Sequence, residues 1–523
     1  MKKITIGLTT ILIIVSMLFL GIACNQEAAE EVVPADKETV IVVGASEDFT
    51  SLNVLTENAG HLQYYFELIY DGLMDYTKDG EIVPSLAESW EVSEDLTEYT
   101  FNLRKGVKWH NGREFVAGDV KETIEWASNP ESGCFYGGAY NIITGIEIID
   151  DYTIKLIVNE PNAAFLNNLV GGNRPILPME QFNEDGSVSE PIGSGPYRFV
   201  EWVPDDHFTV EKNPDYWGGD VNVDKFIFKP IEDVTVKSSA LKTGEIDVAD
   251  TLNLDDVVAY AENPEEGYTM DVSSSAIFEV LGLVFAVERE PFNNEKVRVA
   301  IAYAIDKEAI SNALTKGLGI PAKTFYPTGF WSNQDGAFQY SYDPEKAKQL
   351  LEEAGYPDGF DTSINVLGPN KKMTESAVLI QQYLKDVGIN AVVDAQELGL
   401  WLDSEANADF DMHIAASIIL PDPDSIYSIL LQTGAVYPGW FGKFTDPKID
   451  ELLAEGRIET DMNKRKAIYD EVETILSEKA GCVWIDTEMQ SFGYVDGIEG
   501  VEYSTTAKII YDNNQGWPQI TKK

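Results

Sequence analysis

SINVLGPNKKMTESAVLIQQYLKDVGINAVV, residues 363–393, is the stretch from which the fold can be read. Residues 363–367 are a short β-like run. Met373, Ala377, Ile380, Leu384 and Val387 then recur at helical spacing, and Gly388 stops them. Residues 389–393 return to a strand. A strand, a helix and a strand at this spacing predict a parallel pair joined by a right-handed crossover. The chain is therefore α/β in this half.

The flanking residues supply punctuation. Asp343-Pro344 opens a helix striped by Ala347, Leu350, Leu351 and Ala354 and closed by Gly355. Asp446-Pro447 opens another, and residues 463–480 form a third, ending at Gly481 before a strand at 482–485. Asp424 is placed to cap a helix over 425–431. The first half reads differently. Residues 39–43, 89–92, 99–103, 197–202, 208–211 and 225–231 are strand-like, with turns at Ser93-Glu94-Asp95 and Asn111-Gly112. A β-rich half followed by an α/β half predicts two lobes of different make-up.

The chain has 523 residues, with 38 Lys and Arg against 88 Asp and Glu, a formal charge of −50. That acidity argues against nucleic-acid binding, which needs clustered cations. The N-terminus sets the compartment. Met1-Lys2-Lys3 precedes an uncharged apolar run from Ile4 to Ala23, the shape of a signal peptide. Leu20-Gly21-Ile22-Ala23-Cys24 resembles a bacterial lipobox, with Gly21 where a large apolar residue usually stands. That resemblance implies cleavage before Cys24, a lipid thioether on Cys24, and an anchor of more than one acyl chain. Residues 25–38 are acidic and lack an apolar period, as a tether would. Cys134 and Cys482 are expected to be buried thiols.

Signatures of catalysis are sparse. His61, His110, His207 and His413 form no metal-ligand spacing with one another or with Cys, and no phosphate loop, HExxH or GxSxG occurs. Gly193-Ser194-Gly195-Pro196 is followed by a strand rather than a helix. Asp75–Gly80 lacks the terminal Glu of a calcium loop. No enzyme activity and no cofactor are expected.

Several segments, taken together, carry a resemblance: LAESWEVSEDLTEYTFNLRKGVKWHNG (86–112), GSGPYRFVEW through NPDYWG (193–218), PFNNEKVRVAIAYAIDKEAI (291–310), YDPEKAKQLLEEAGYPDG (342–359), and Pro421-Asp422-Pro423-Asp424 onward through Leu476. In this order they resemble the family 5 extracellular solute-binding proteins of ABC importers, the peptide- and nickel-binding group. The chain departs from that pattern at Leu96, where the family usually has Gly after Asp.

The resemblance implies a two-lobe α/β fold of the periplasmic-binding-protein type. It implies lobe I over 39–277 with an inserted subdomain near 70–190, lobe II over 278–497, and a return to lobe I over 498–523. Two crossing segments, near 278–287 and 492–502, would serve as the hinge. The partners it implies are a small solute, an ABC permease and ATPase, and the membrane through lipid on Cys24, with the chain itself a monomer.

In peptide-binding relatives a carboxylate three residues before the first Asp of Asp-Pro-Asp pairs with the peptide ammonium. Here that position is Ile419, and Ala416 replaces the relatives' Trp. No acidic residue lies between Asp411 and Asp422. Either the solute lacks a free amine (a sugar such as an oligosaccharide, a capped or cyclic peptide, a nickel or other metal chelate), or Glu397, Asp403 or another carboxylate supplies the charge, or the register shifts. The main chain of Ala415, Ser417 and Ile419 remains available for strand-like pairing with a peptide. Asn58 and Trp401 complete the candidates. A sensor of the same fold is the alternative to an importer subunit.

Overall fold

The computed structural model describes residues 38–57, 63–77, 81–134, 137–170, 174–273, 279–327, 330–333, 337–418, 422–435, 437–487, 489–503, 509–510 and 520–523. The signal segment, Cys24 and the tether up to residue 37 lie outside them.

Two central sheets organise the described residues from Thr39 onward. The first is seven-stranded, in the order Tyr268–Val272, Ser491–Val495, Val248–Ala249, Val40–Ala45, Lys225–Pro230, His207–Lys212 and Tyr197–Val203. Val40–Ala45 pairs in parallel with Lys225–Pro230, and its alternation puts Ile41 and Val43 into the core beside Phe208, Phe226 and Phe228. Between the first and last sequence segments of this sheet the chain inserts an antiparallel four-stranded sheet, ordered Ala87–Val92, Glu98–Leu103, Thr153–Val158, Ile143–Asp150.

The hairpin turn of the inserted sheet accounts for the departure at Leu96. Leu96 sits at φ +56°, a left-handed conformation that glycine adopts without penalty. Asp95 holds the turn by accepting from Ser93 Oγ (2.7 Å) and Thr97 Oγ1 (2.8 Å).

The glycine-rich Gly193-Ser194-Gly195 has a packing role. A side chain at Gly193 would put Cβ 1.7 Å from the Ile69 carbonyl oxygen. The half-buried His110 ring locks this loop to the segment 86–112: Gly193 N–H donates to Nδ1 (3.2 Å) and Nε2 donates to the Gly195 carbonyl (3.0 Å). Burial lowers the pKa of His110 to about 4, so the ring is neutral and can do both.

The second sheet is six-stranded, ordered Ile320–Pro321, Cys482–Thr487, Glu279–Phe285, Met412–Ile418, Phe360–Leu367, Ile389–Gln396. Phe360–Leu367 and Ile389–Gln396 are parallel in full register, joined by the helix Lys371–Asp386 that buries Met373, Ala377, Ile380 and Leu384. Leu281, Leu283, Ile364, Val366, Met412 and Ile414 share one apolar face, and Val280, Val284, Ala415 and Trp484 belong to the core on the other.

The punctuation at Asp343 and Asp446 matches the structure: each carboxylate accepts from a backbone N–H, of Lys346 and Lys448 respectively. The helix after Pro421 corrects the expectation. It runs Pro423–Leu430, and its N-cap is Asp422, not Asp424. With Pro at the first helical position the cap moves one residue before it. Cys482 is buried, but Cys134 is only half-buried; both are free thiols. Two lobes follow, each with its own sheet and core. The chain passes between the sheets after Val272 and again after Thr487. The span 278–287 thus consists mostly of the strand that follows the first passage, Glu279–Phe285, and the span 492–502 begins inside the strand that follows the second, Ser491–Val495. Lys522 returns to the first sheet, donating to the Val40 carbonyl and to Asp247 (2.8 Å each).

Candidate functional site

Strand order directs attention to one edge of the second sheet. Phe360–Leu367 lies between Ile389–Gln396 and Met412–Ile418 and runs parallel to both. The chain leaves Phe360–Leu367 to one side and returns on the other, so the strand order reverses there. In open α/β sheets the crevice at the carboxyl ends of such strands is where ligands lodge. At this edge stand Gly368, whose N–H donates to the Gln396 carbonyl (2.8 Å), Glu397, Ser417 and, beyond residues 419–421, Asp422.

The proposed candidates separate here. Glu397 is exposed and starts the helix Leu398–Asn407 without a side-chain cap. Ser417 is half-buried on Met412–Ile418, whereas Ala415 is fully buried in the core, which leaves only its main chain for a partner. Trp401 is buried and stacks on His413 with ring centroids 5.2 Å apart, at the far end of that strand. Asn58 and Ile419 lie outside the described residues. Asp403 is exposed on the helix.

The two carboxylates that bracket 412–421 are both engaged. Asp411 accepts from Thr362 Oγ1 (3.1 Å) and from Ser363 N–H (3.2 Å) and Oγ (3.3 Å). Asp422 is 3% exposed, and both of its oxygens meet the guanidinium of Arg465, Oδ1 at 2.8 Å from a terminal nitrogen. Arg465 in turn donates to the Gly456 carbonyl (2.9 Å) and lies over Trp331. Asp424 is buried, which raises its pKa, and receives Arg457 Nε at 3.2 Å, which opposes that rise. Behind this helix Glu473 is fully buried. Its Oε1 accepts from the Phe325 N–H (3.1 Å) and from the Tyr427 hydroxyl, and burial pushes its pKa up to about 7.

The first lobe meets this edge through residues 160–167. Asn167 Nδ2 donates to Asp422 Oδ2 (3.1 Å), Ala163 N–H donates to the Arg457 carbonyl (2.7 Å), and Glu160 lies 3.9 Å from the Arg457 guanidinium. Sequence reasoning missed this set because its partners stand 255 residues apart or more, with no local pattern to link them. The passages between sheets form the opposite end. Ser273 and Gln490, one on each passage, exchange Ser273 N–H to the Gln490 carbonyl (2.7 Å) and Gln490 N–H to Ser273 Oγ (3.0 Å). Gln490 also donates to the Asp250 carbonyl. The Asp250 carboxylate is paired with the fully buried Lys237 (2.6 Å) and accepts from Tyr65 and Ser46.

Comparisons with known proteins agree with this fold. The sequence profile for "Bacterial extracellular solute-binding proteins, family 5 Middle" matches residues 81–438. The chain is 29% identical over 468 residues to the glutathione-binding protein GsiB of Pectobacterium atrosepticum, covering 87% of this chain and 89% of that one. It is 31% identical over 448 residues to the heme-binding protein A of Haemophilus influenzae, covering 79% and 80%. Among solved structures, the periplasmic binding protein DppA of Helicobacter pylori, in complex with the peptide STSA, superposes with a TM-score of 0.78 at 28% identity, over 93% of this chain and 98% of that one.

Proposed function

Because the chain belongs to the family 5 bacterial extracellular solute-binding proteins, we propose that it is the capture subunit of an ABC importer, taking a small peptide between its lobes and delivering it to a membrane permease. The observation that carries this reading is the full-length likeness to the peptide-bound DppA, whose coverage includes both lobes. An open parallel edge on one lobe, faced by residues 160–167 of the other, supplies backbone groups on one side and a lid on the other. Exclusion of water on closure strengthens the hydrogen bonds that hold the solute. The lipid on Cys24, with residues 25–38 as tether, would hold the body at the membrane surface.

One observation favours a particular kind of peptide. Asp411 and Asp422, the acids that bracket the expected ammonium position, are already engaged by neighbours of their own lobe. An ammonium buried there without a partner would cost several kcal/mol. The solute is then one whose amine is blocked, or whose amine reaches Glu397 at the solvent side. A thermal-shift series tests this with free dipeptides, the same dipeptides N-acetylated, glutathione and heme. A ligand of the native state raises the midpoint by mass action. Stabilisation by N-acetylated peptides at least as strong as by free ones is expected. Stabilisation by heme alone would replace the peptide reading, and exclusive stabilisation by free dipeptides would overturn the blocked-amine reading.

A further inference from the structure

We propose that residues 160–167 and the pair Asp422 and Arg457 form a clasp that sets how long the lobes stay shut, with Asn167 as its positioning residue. The inference rests on the capture reading for its ligand-bound arm only. Asn167 is aimed before the lobes meet: its Oδ1 accepts from the Tyr76 hydroxyl (2.9 Å) and its Nδ2 donates to the Ala164 carbonyl (3.2 Å), both within its own lobe. That leaves the remaining amide proton directed at Asp422 Oδ2 (3.1 Å). The acceptor is equally prepared. Asp422 is held by Arg465 and by its cap on the Asp424 N–H (2.9 Å), so it does not turn to meet Asn167. Arg457 is fixed the same way by Asp424 (3.2 Å) and Gln432 (2.9 Å), and it offers its carbonyl to Ala163 (2.7 Å).

Preset groups on both sides lose little conformational freedom when they meet, so the contact favours the shut state by most of its hydrogen-bond energy.

The test compares the full mature chain with Asn167→Asp and Asn167→Ala. Asn167→Asp sets a second carboxylate against Asp422, and Asn167→Ala removes the bond without charge. Small-angle scattering of the ligand-free proteins should give a larger radius of gyration for Asn167→Asp than for wild type, with Asn167→Ala between them, while their thermal midpoints stay within a few degrees. For any peptide found to bind, dissociation from Asn167→Asp should be about tenfold faster, with association nearly unchanged. Equal scattering in all three would overturn the clasp, whether or not a peptide ligand is ever found. Were Asn167→Asp to unfold, Asn167→Ala alone decides: a radius equal to wild type overturns the proposal.

Discussion

The two ends of the cleft use the same device for opposite purposes. At the hinge end, Asp250 is paired with the fully buried Lys237, and a side-chain amide, that of Gln490 on the passage after Thr487, reaches its backbone carbonyl. At the rim, Asp422 is paired with Arg465, and the amide of Asn167 reaches its carboxylate from the other lobe. The hinge group joins residues of the first lobe to the passage itself, so it persists when the lobes move. The rim group joins residues of different lobes across the gap, so it breaks. A buried ion pair adds little net stability but fixes geometry. The amide beside each pair determines whether that geometry is permanent or reversible.

The largest expected effect separates stability from opening. Removing one partner of a buried pair leaves the other charge uncompensated, at about 3–5 kcal/mol. Lys237→Met and Arg465→Leu should each lower unfolding stability by that order in urea titrations. Only Arg465→Leu should also enlarge the ligand-free radius of gyration, because only Asp422 carries the clasp. An equal enlargement in both would dissolve the distinction.

Next comes the acid that neither end uses. Glu473 is fully buried with its pKa raised to about 7 by burial, and Asp71 in the first lobe is raised to about 6, again by burial, although Trp217 and Ser194 donate to it. For a carboxyl whose folded pKa is raised, the stability contribution is complete below its unfolded value near 4 and is lost as pH rises through the folded value. The midpoint difference between Glu473→Gln and wild type should therefore grow in favour of the variant from pH 5 to pH 8. The corresponding stability difference should grow by about 2–3 kcal/mol over that range. A difference flat with pH would show that Glu473 stays ionised, which would put a charge just behind the rim.

Smaller effects serve as controls on the comparison. Leu96→Gly relieves a left-handed non-glycine residue and should raise stability by about 1 kcal/mol without changing the radius of gyration. Lys316→Ala removes an exposed ion pair with Asp255 (2.9 Å), a surface contact worth less than about 1 kcal/mol, and should leave both readouts nearly unmoved.

How much of this could be read in the chain depended on distance along it. Asp343-Pro344, Asp446-Pro447 and the apolar period of 373–387 are local signals, and each appears in the structure as a cap or a buried stripe. Asp424 was misjudged as a cap because two carboxylates flank Pro423, and only the position of the proline in the first turn decides between them. The segment 86–112 and the glycine loop were legible as motifs, yet not as the two sides of one contact through His110. The hinge and rim amides join residues 240 and 255 apart, and no periodicity reports that. Of the candidate contacts, Ser417 and Glu397 stand at the carboxyl edge, whereas Trp401 is held in the core by His413.

The central claim is that the chain holds a small peptide without changing it. Native mass spectrometry of the full mature chain, incubated with the free and N-acetylated dipeptides, tests it most directly. The account predicts one peptide per chain, released on denaturation at its original mass. A chain that retains no member of the series, or that returns a peptide shortened or altered in mass, would contradict it.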